Sequence, residues 1–326
     1  MNAGSMKGAT YDVAVVGGGA AGLSAATTLA RSRRSVLVFD AGAPRNAPAA
    51  GVHNFLSRDG MAPRDLVAVA RTELESYGGR VVAATAVSAQ RGGNGSVGFA
   101  VQLDDGARFH ARRLVVATGV RDILPDIPGL RDRWGRDVLH CPYCHGWEVR
   151  DRTIVVIGTM PMSTHQARLL RQWSDDITYV VHGAPAPTDE EREQFRARDI
   201  LVVDDTVARI EIVDDAIVGV RTTGGALVAC DAVAVGSRAV AESPVLDALG
   251  LERIEHPMGL HYPADAFGRT TIDGVWLAGN VMDLAAGVIN AAAQGYTVGT
   301  QLNAELVTAE TAAAVDQLRE REGVQQ

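Results

Sequence analysis

The string Gly17-Gly18-Gly19-Ala20-Ala21-Gly22 follows the apolar, β-branched run 11–16 (YDVAVV) without a gap and opens an Ala/Leu-rich segment, LSAATTLARS. This junction of strand, glycine turn and helix constrains the fold more than any other part of the chain. Gly17 permits the tight turn, Gly19 lets backbone approach a pyrophosphate, and Gly22 lets helix and strand pack closely. The helix start then presents free N–H groups and a partial positive charge to the phosphates. Asp40 ends the next buried run, 35–40 (SVLVFD), where an acid accepts from ribose hydroxyls. Its charge opposes a 2′-phosphate, so the first site is one for NAD or FAD and not NADP.

The same alternation continues along the chain. Residues 113–117 lead to Thr118-Gly119, residues 153–157 to Gly158, and residues 274–277 to Ala278-Gly279-Asn280; 177–181 is a further buried run. Strands alternating with helical patterns predict an α/β fold with parallel, doubly wound sheets. A second strand–glycine–helix unit begins at Thr153 (TIVVIGTMPMSTHQARLLRQW), so the nucleotide-binding architecture is duplicated. The connector 124–129 (LPDIPG) marks a crossing between domains and 238–244 the return. The expected domains are 10–122 plus 241–326, discontinuous, and 123–240. Residues 304–322 read as a surface helix with alternating charges, and 1–10 as a flexible lead-in.

Composition narrows the function classes. The chain has 326 residues, enough for two domains. Its 31 Lys and Arg against 39 Asp and Glu leave a net charge of −8, the wrong sign for an electrostatic nucleic-acid or anionic-membrane binder. No apolar run reaches the ~18 residues of a membrane span, and no secretory signal pattern is present. Three cysteines are too few for a disulfide-stapled scaffold; one functional pair and one leftover thiol, Cys230, fit better.

The pair is Cys141-Pro142-Tyr143-Cys144, followed by His145. Two cysteines spaced by two residues at a helix start can close a disulfide, and the helix end with His140 or His145 would depress the thiolate pKa. A zinc half-site would need a second ligand pair, and only Cys230 and scattered histidines remain. C-x-x-C-H also matches a c-type haem attachment, a site made in oxidising compartments. The CPYC string matches a glutaredoxin, where it follows a strand near the start of a small domain. The redox pair accounts for the sequence best, and no metal is expected.

Together the glycine fingerprint, Val116-Ala117-Thr118-Gly119, LPDIPG, the C-x-x-C before a second nucleotide-like unit and the terminal Ala278-Gly279-Asn280 resemble the low-molecular-weight thioredoxin reductase family, over nearly the whole chain. The string CPYCHGWE resembles one branch of it, the FAD-dependent dithiol oxidases of the gliotoxin and holomycin type. The resemblance implies two Rossmann-like dinucleotide-binding domains in three-layer ββα form, the class II pyridine nucleotide-disulfide oxidoreductase architecture, with FAD in the first. It implies that Cys144 contacts the flavin and that Cys141 exchanges with substrate. It places Asn54 at the flavin, and Gly287 and Val288 as a helix start facing the flavin pyrimidine edge. The implied cofactor-binding set is Gly17, Gly19, Ala21, Gly22, Asp40, Ala41, Arg45, Asn46, Asn54, Ala86, Ala117, Thr118, Gly119, Gly279, Asn280, Gly287 and Val288. A homodimer and a cytoplasmic location are implied as well.

Several positions depart from the family. Asn280 replaces an aspartate, and His145 stands where thioredoxin reductases carry Asp. In the second unit, Met160 and Pro161 occupy a turn that needs glycine and N–H donors. After 177–181 the chain reads His182-Gly183-Ala184-Pro185 and then Asp189-Glu190-Glu191, acids where a 2′-phosphate calls for arginines. The expected activity is therefore dithiol oxidation through Cys141–Cys144, with His145 or His140 as acid–base, dioxygen as acceptor and little or no NADPH use. An NADPH-driven reductase of thioredoxin or a similar small protein is the alternative enzyme, and a redox-sensing flavoprotein scaffold the alternative of another class. Arg31, Arg33 and Arg34 are expected as solvated caps of the first helix. His53, His165 and His261 are expected in surface or core roles, Trp134, Trp147 and Trp173 in packing, with the lining of a substrate groove as their alternative, and Cys230 as a buried spectator.

Overall fold

The structure is a computed structural model and describes residues 10–92 and 98–323; of the lead-in expected over 1–10, residues 1–9 lie outside them, and Thr10 is not lead-in but the first residue of a strand. The chain divides into two compact units, Met1–Arg45 with Arg64–Arg121 and Val240–Gln326, and Asn46–Pro63 with Asp122–Ala239.

In the first unit, strands β1 (Thr10–Val16), β2 (Val36–Asp40), β3 (Arg80–Ala83), β4 (Ala86–Arg91), β5 (Phe99–Leu103) and β6 (Arg108–Val116) form one sheet in the order β3-β2-β1-β6-β5-β4. Strand β19 (Val275–Leu277) adds beside β6. Strands β1, β2, β3, β6 and β19 run parallel, while β4, β5 and β6 form an antiparallel meander. Val13 to Val16 are all buried, as expected of a parallel strand covered on both faces. Helices α1 (Ala20–Arg31), α2 (Pro63–Ser76), α6 (Pro244–Ala248) and α7 (Val288–Gly323) and the antiparallel pair β17 (Ile254–His256) and β18 (Gly259–His261) complete the unit.

Helix α7 buries Ala291, Gly295, Val298, Gly299, Leu302 and Leu306 at helical spacing. It lies close on α1 because Gly295 and Gly299 have no side chains. A Cβ would stand 2.1 Å from the Ala21 oxygen at Gly295 and 2.8 Å from Thr28 Cβ at Gly299. Burying Leu302 and Leu306 fully contributes roughly 1.5–3 kcal/mol each. The surface helix read over 304–322 is the exposed C-terminal part of α7. The expectation of solvated arginines fails at Arg34: its guanidinium donates to Asn303 (2.8 Å) and Glu310 (2.6 Å) of α7 and is largely buried.

The second unit repeats the plan. Strands β8 (Val138–Leu139), β9 (Ile154–Gly158), β10 (Ile177–Val181), β11 (Leu201–Val203) and β15 (Ala232–Val235) form a parallel sheet in the order β11-β10-β9-β15-β8. Strands β12 (Val207–Val213), β13 (Ala216–Thr222) and β14 (Leu227–Ala229) form its antiparallel meander. Helices α3 (Pro142–His145), α4 (Ser163–Leu170) and α5 (Asp189–Arg196) follow their strands, and β7 (Arg121–Ile123) and β16 (Arg238–Val240) lie where the chain passes between units. The connector residues Leu124, Ile127 and Leu130 join a core that also holds Cys230, whose thiol burial pushes up to about 12. Each unit is thus a Rossmann-like domain, as expected. No helix among the described residues is long and apolar enough to cross a membrane.

Candidate active site

In the first unit the register of the parallel strands decides which residues meet. Val16 pairs with Phe39 of β2 and with Val116 of β6, and Val116 pairs with Leu277 of β19. The residues that follow, Gly17, Asp40, Ala117 and Ala278, therefore stand side by side at the carboxyl edge, where open α/β sheets bind ligands. Gly17 has φ +107°, and a Cβ there would lie 2.3 Å from the Ala117 oxygen. At Gly22 a Cβ would lie 1.9 Å from the Gly17 oxygen, so helix and turn touch as the fingerprint requires. At Gly19 and Gly119 nothing stands within 4 Å of an added Cβ. Gly19 also caps α1 without a side-chain hydrogen bond. The turn is tight behind and open in front, which fits the pyrophosphate of FAD.

Asp40 accepts from the N–H groups of Gly18 (3.4 Å) and Gly42 (3.1 Å) and pairs with Arg71 of α2. Arg71 went unrecognised in the sequence because only the fold brings it to Asp40. Ala21 is buried in the first turn of α1, with its Cβ 2.9 Å from where Gly279 would carry one. Ala41 and Thr118 are exposed, Arg45 is half-buried, and Ala86 lies in the core of the unit.

Gly279 turns with φ +80° and donates its N–H to Gln294 Oε1 (3.0 Å), a residue sequence reading passed over. The Asn280 amide nitrogen donates to the carbonyls of Asp283 and Ala286, each at 2.9 Å. An aspartate has no N–H to give there and would set a carboxylate against those oxygens. The departure at Asn280 thus has a local cause: its amide shapes the loop that delivers Gly287 and Val288 to the start of α7.

In the second unit Cys141 and Cys144 are disulfide-bonded, with Cα atoms 5.2 Å apart across the single turn α3. A one-turn helix carries little dipole, so the neighbouring histidine becomes the main group able to manage a thiol proton. His145 has its Nε2 buried without a hydrogen-bond partner. Burial depresses its pKa, the Glu148 carboxylate opposes that shift, and His53 adds to it. The ring is therefore a neutral base near pH 7. His140 stacks obliquely on Trp134, and its carbonyl accepts from Gln166 (2.6 Å).

Tyr143 and Trp147 are both 64% exposed, one helical turn apart beside the disulfide. Tyr143 meets Trp173 edge-on, and the Arg150 guanidinium lies 4.2 Å over Trp147. Of the three tryptophans expected in packing roles, Trp147 departs: its ring is mostly in solvent. Asn46 and Asn54 belong to the 46–63 segment of this unit. Asn54, at φ +61°, donates its amide to the Tyr143 carbonyl (2.7 Å), between the two cysteines. His53 beside it faces Asp59 and Glu148 at 3.4 Å each, where sequence reading expected only a surface or core role.

The second glycine turn is filled by the chain itself. Ser163 Oγ accepts from the N–H groups of Thr159 (3.2 Å) and Met160 (3.1 Å), and Pro161 has no N–H. Met160 packs its sulfur against Gly236. Glu191 caps α5 and accepts from Thr164 of α4, which keeps its carboxylate ionised. His182, at the end of β10, accepts from the Val207 N–H, and burial lowers its pKa, so it offers no cation.

Comparison with known proteins agrees with this architecture. The family described as pyridine nucleotide-disulphide oxidoreductase matches residues 11–295. Thioredoxin reductase tcpT of Claviceps purpurea is 30% identical over 311 residues, 91% of this chain and 94% of the relative. Thioredoxin reductase sirT of Leptosphaeria maculans is 29% identical over 93% of this chain and 96% of its own. The crystal structure of HlmI superposes with a TM-score of 0.88 at 45% identity, covering 94% of this chain and 96% of that one. An oxidoreductase from Agrobacterium tumefaciens superposes with a TM-score of 0.85 at 34% identity, over 92% and 99%.

Proposed function

The chain belongs to the pyridine nucleotide-disulphide oxidoreductase family, and on that premise we propose that it is a dithiol oxidase that passes electrons to dioxygen and makes little or no use of NADPH. The enzyme is a thioredoxin reductase-like thiol–disulfide oxidoreductase, and FAD is its cofactor. The observation that carries the oxidase reading is the second glycine turn, where Ser163 holds the two N–H groups a pyrophosphate would need. The methionine at 160, the proline at 161 and the Glu191 carboxylate deepen the mismatch. Electrons then have to arrive as a dithiol.

FAD, when bound, supplies a two-electron acceptor that dioxygen can regenerate with release of peroxide. Gly17, Gly19 and the α1 start would hold its pyrophosphate, Asp40 its ribose, and the Gly279–Val288 loop its flavin end. The chain's own residues perform the exchange. A substrate thiolate attacks Cys141, breaking the Cys141–Cys144 bond and leaving the electron pair on Cys144, which takes a proton. The second substrate thiol gives its proton to His145 and attacks the mixed disulfide. The substrate leaves oxidised, and Cys141 takes the proton back. The exposed rings of Tyr143 and Trp147 offer flat apolar faces to a small dithiol.

With a small dithiol in air, the holoenzyme is expected to release one peroxide per dithiol oxidised, at a rate that NADPH does not change. Oxygen-electrode traces with and without catalase check this. Turnover that requires NADPH and a thioredoxin in place of the dithiol would overturn the reading.

A further inference from the structure

The arginine that meets Asp40 comes from α2, an element outside the glycine motif. The Asp40 carboxylate is held from two sides. Its Oδ1 accepts from the N–H groups of Gly18 (3.4 Å) and Gly42 (3.1 Å), and its Oδ2 accepts from Arg71 Nη2. It also lies against Gly18, where an added Cβ would stand 2.6 Å from Asp40 Cγ and 2.8 Å from Oδ2. The two backbone bonds are long and act on one oxygen only. The guanidinium supplies a charge-assisted bond to the other oxygen and so fixes the carboxylate plane. The Asp40 side chain is 13% exposed and that of Arg71 32%, so the pair keeps a small open face.

Stability alone does not account for an arginine at this place. Leu74 of the same helix is fully buried, and Val67 and Ala70 pack against the same core, so α2 is anchored to the sheet without an ion pair. Arg71 Nε is buried and has no hydrogen-bond partner among the described residues, and desolvating an unpaired donor weakens a fold. The long side chain accepts that loss and reaches the one acid beside the glycine turn.

We propose that Arg71 is a positioning residue for the adenosine half of FAD. It holds the Asp40 carboxylate at the angle from which its remaining lone pairs accept from the ribose hydroxyls, so the two side chains act as one specificity element. The guanidinium also offsets the carboxylate charge, which alone would oppose the pyrophosphate seated at the same turn. Neither the electron acceptor nor the second glycine turn enters into this role, so its failure would leave the oxidase reading standing.

The test uses the full chain stripped of flavin and shown to regain its holo spectrum with FAD. FAD affinity is read by flavin fluorescence, and ADP and 2′-deoxy-ADP are compared as competitors. The parent is expected to prefer ADP over 2′-deoxy-ADP about tenfold, because a carboxylate placed for a hydroxyl is left unpaired by the deoxy analogue. Arg71→Gln is expected to weaken FAD about tenfold and to cut the ADP preference to about twofold or less. Arg71→Met, which keeps the apolar stem packed, should repeat both losses and serves where the amide disturbs α2. Arg71→Lys keeps a cation and a donor and should retain most of the preference. Asp40→Asn should lose the preference by itself, and adding Arg71→Gln to it should weaken FAD little further. Melting curves recorded alongside separate seating of the cofactor from stability of the chain. Arg71 variants that melt lower yet keep the parent's preference for ADP would show that the pair only ties α2 to the sheet, and would overturn the proposal. Additive losses in the double variant, or a parent blind to the 2′-hydroxyl, would overturn it as well.

Discussion

Cys141→Ser is expected to lower dithiol-driven turnover by about a thousandfold or more, because the exchange has no second electrophilic sulfur to receive the substrate thiolate. Cys144→Ser is expected to be as severe in turnover and to differ in what it traps. With Cys144 removed, the Cys141 thiolate can still attack an aromatic disulfide such as 5,5′-dithiobis(2-nitrobenzoate). One aryl thiolate leaves, and a mixed disulfide stays on Cys141 because no neighbouring thiol displaces it. Intact-mass measurement should find one aryl adduct on Cys144→Ser formed faster than on Cys141→Ser. The difference follows from the proposed division of labour, with Cys141 facing substrate and Cys144 facing the flavin. Equal trapping rates in the two variants would reject that division. Undiminished turnover in either one would reject the dithiol mechanism itself.

The second large effect concerns the first glycine turn, where two neighbouring glycines should respond differently. A methyl at residue 22 would stand 1.9 Å from the Gly17 oxygen, a backbone atom that cannot swing aside. Gly22→Ala is expected to lift α1 off the turn and to cost about 3 kcal/mol or more, read as a lowered Tm and protein purified without flavin. Gly19 has extended backbone (φ −82°, ψ −170°), and nothing stands within 4 Å of an added Cβ. Gly19→Ala should therefore fold as well as the parent. The methyl would instead project into the space in front of the α1 N–H groups, weakening FAD binding about tenfold, or roughly 1.4 kcal/mol. Titration of the stripped protein with FAD, alongside its melting curve, separates the two. Normal FAD affinity in Gly19→Ala would mean that the phosphates lie elsewhere.

These predictions draw on parts of the chain that differ in how far sequence alone revealed them. The first turn was legible because its demands are local: Gly17, Gly19 and Gly22 each answer a steric need within one strand–helix junction. The mismatch at Met160 and Pro161 was legible for the same reason. The structure adds Ser163, whose hydroxyl supplies acceptors for the N–H groups of Thr159 and Met160. Asn54 was legible only through the family resemblance, and the pairings of its segment with Tyr143 and Glu148 were not legible at all. The segment has no hydrophobic period, and its partners lie 89 residues away at Tyr143 and further at Glu148. Pairings of that range leave no pattern in a single sequence. Asn280 was noticed as a departure, but its reason, the carbonyls of Asp283 and Ala286 facing its amide, required coordinates. Arg34 was misjudged because a cation at a helix end usually caps it. Here α7 returns from the far end of the chain to supply Glu310.

The identity of the molecule that reduces the flavin decides between an oxidase and a reductase. Oxidised holoprotein, mixed under argon with a small dithiol and separately with NADPH, should lose its visible flavin absorbance within the mixing experiment only in the first case. Dithiol bleaching that disappears in Cys141→Ser would complete the agreement. Rapid bleaching by NADPH would contradict it, because the turn filled by Ser163, Met160 and Pro161 would then be shown to bind the nucleotide it was argued to refuse.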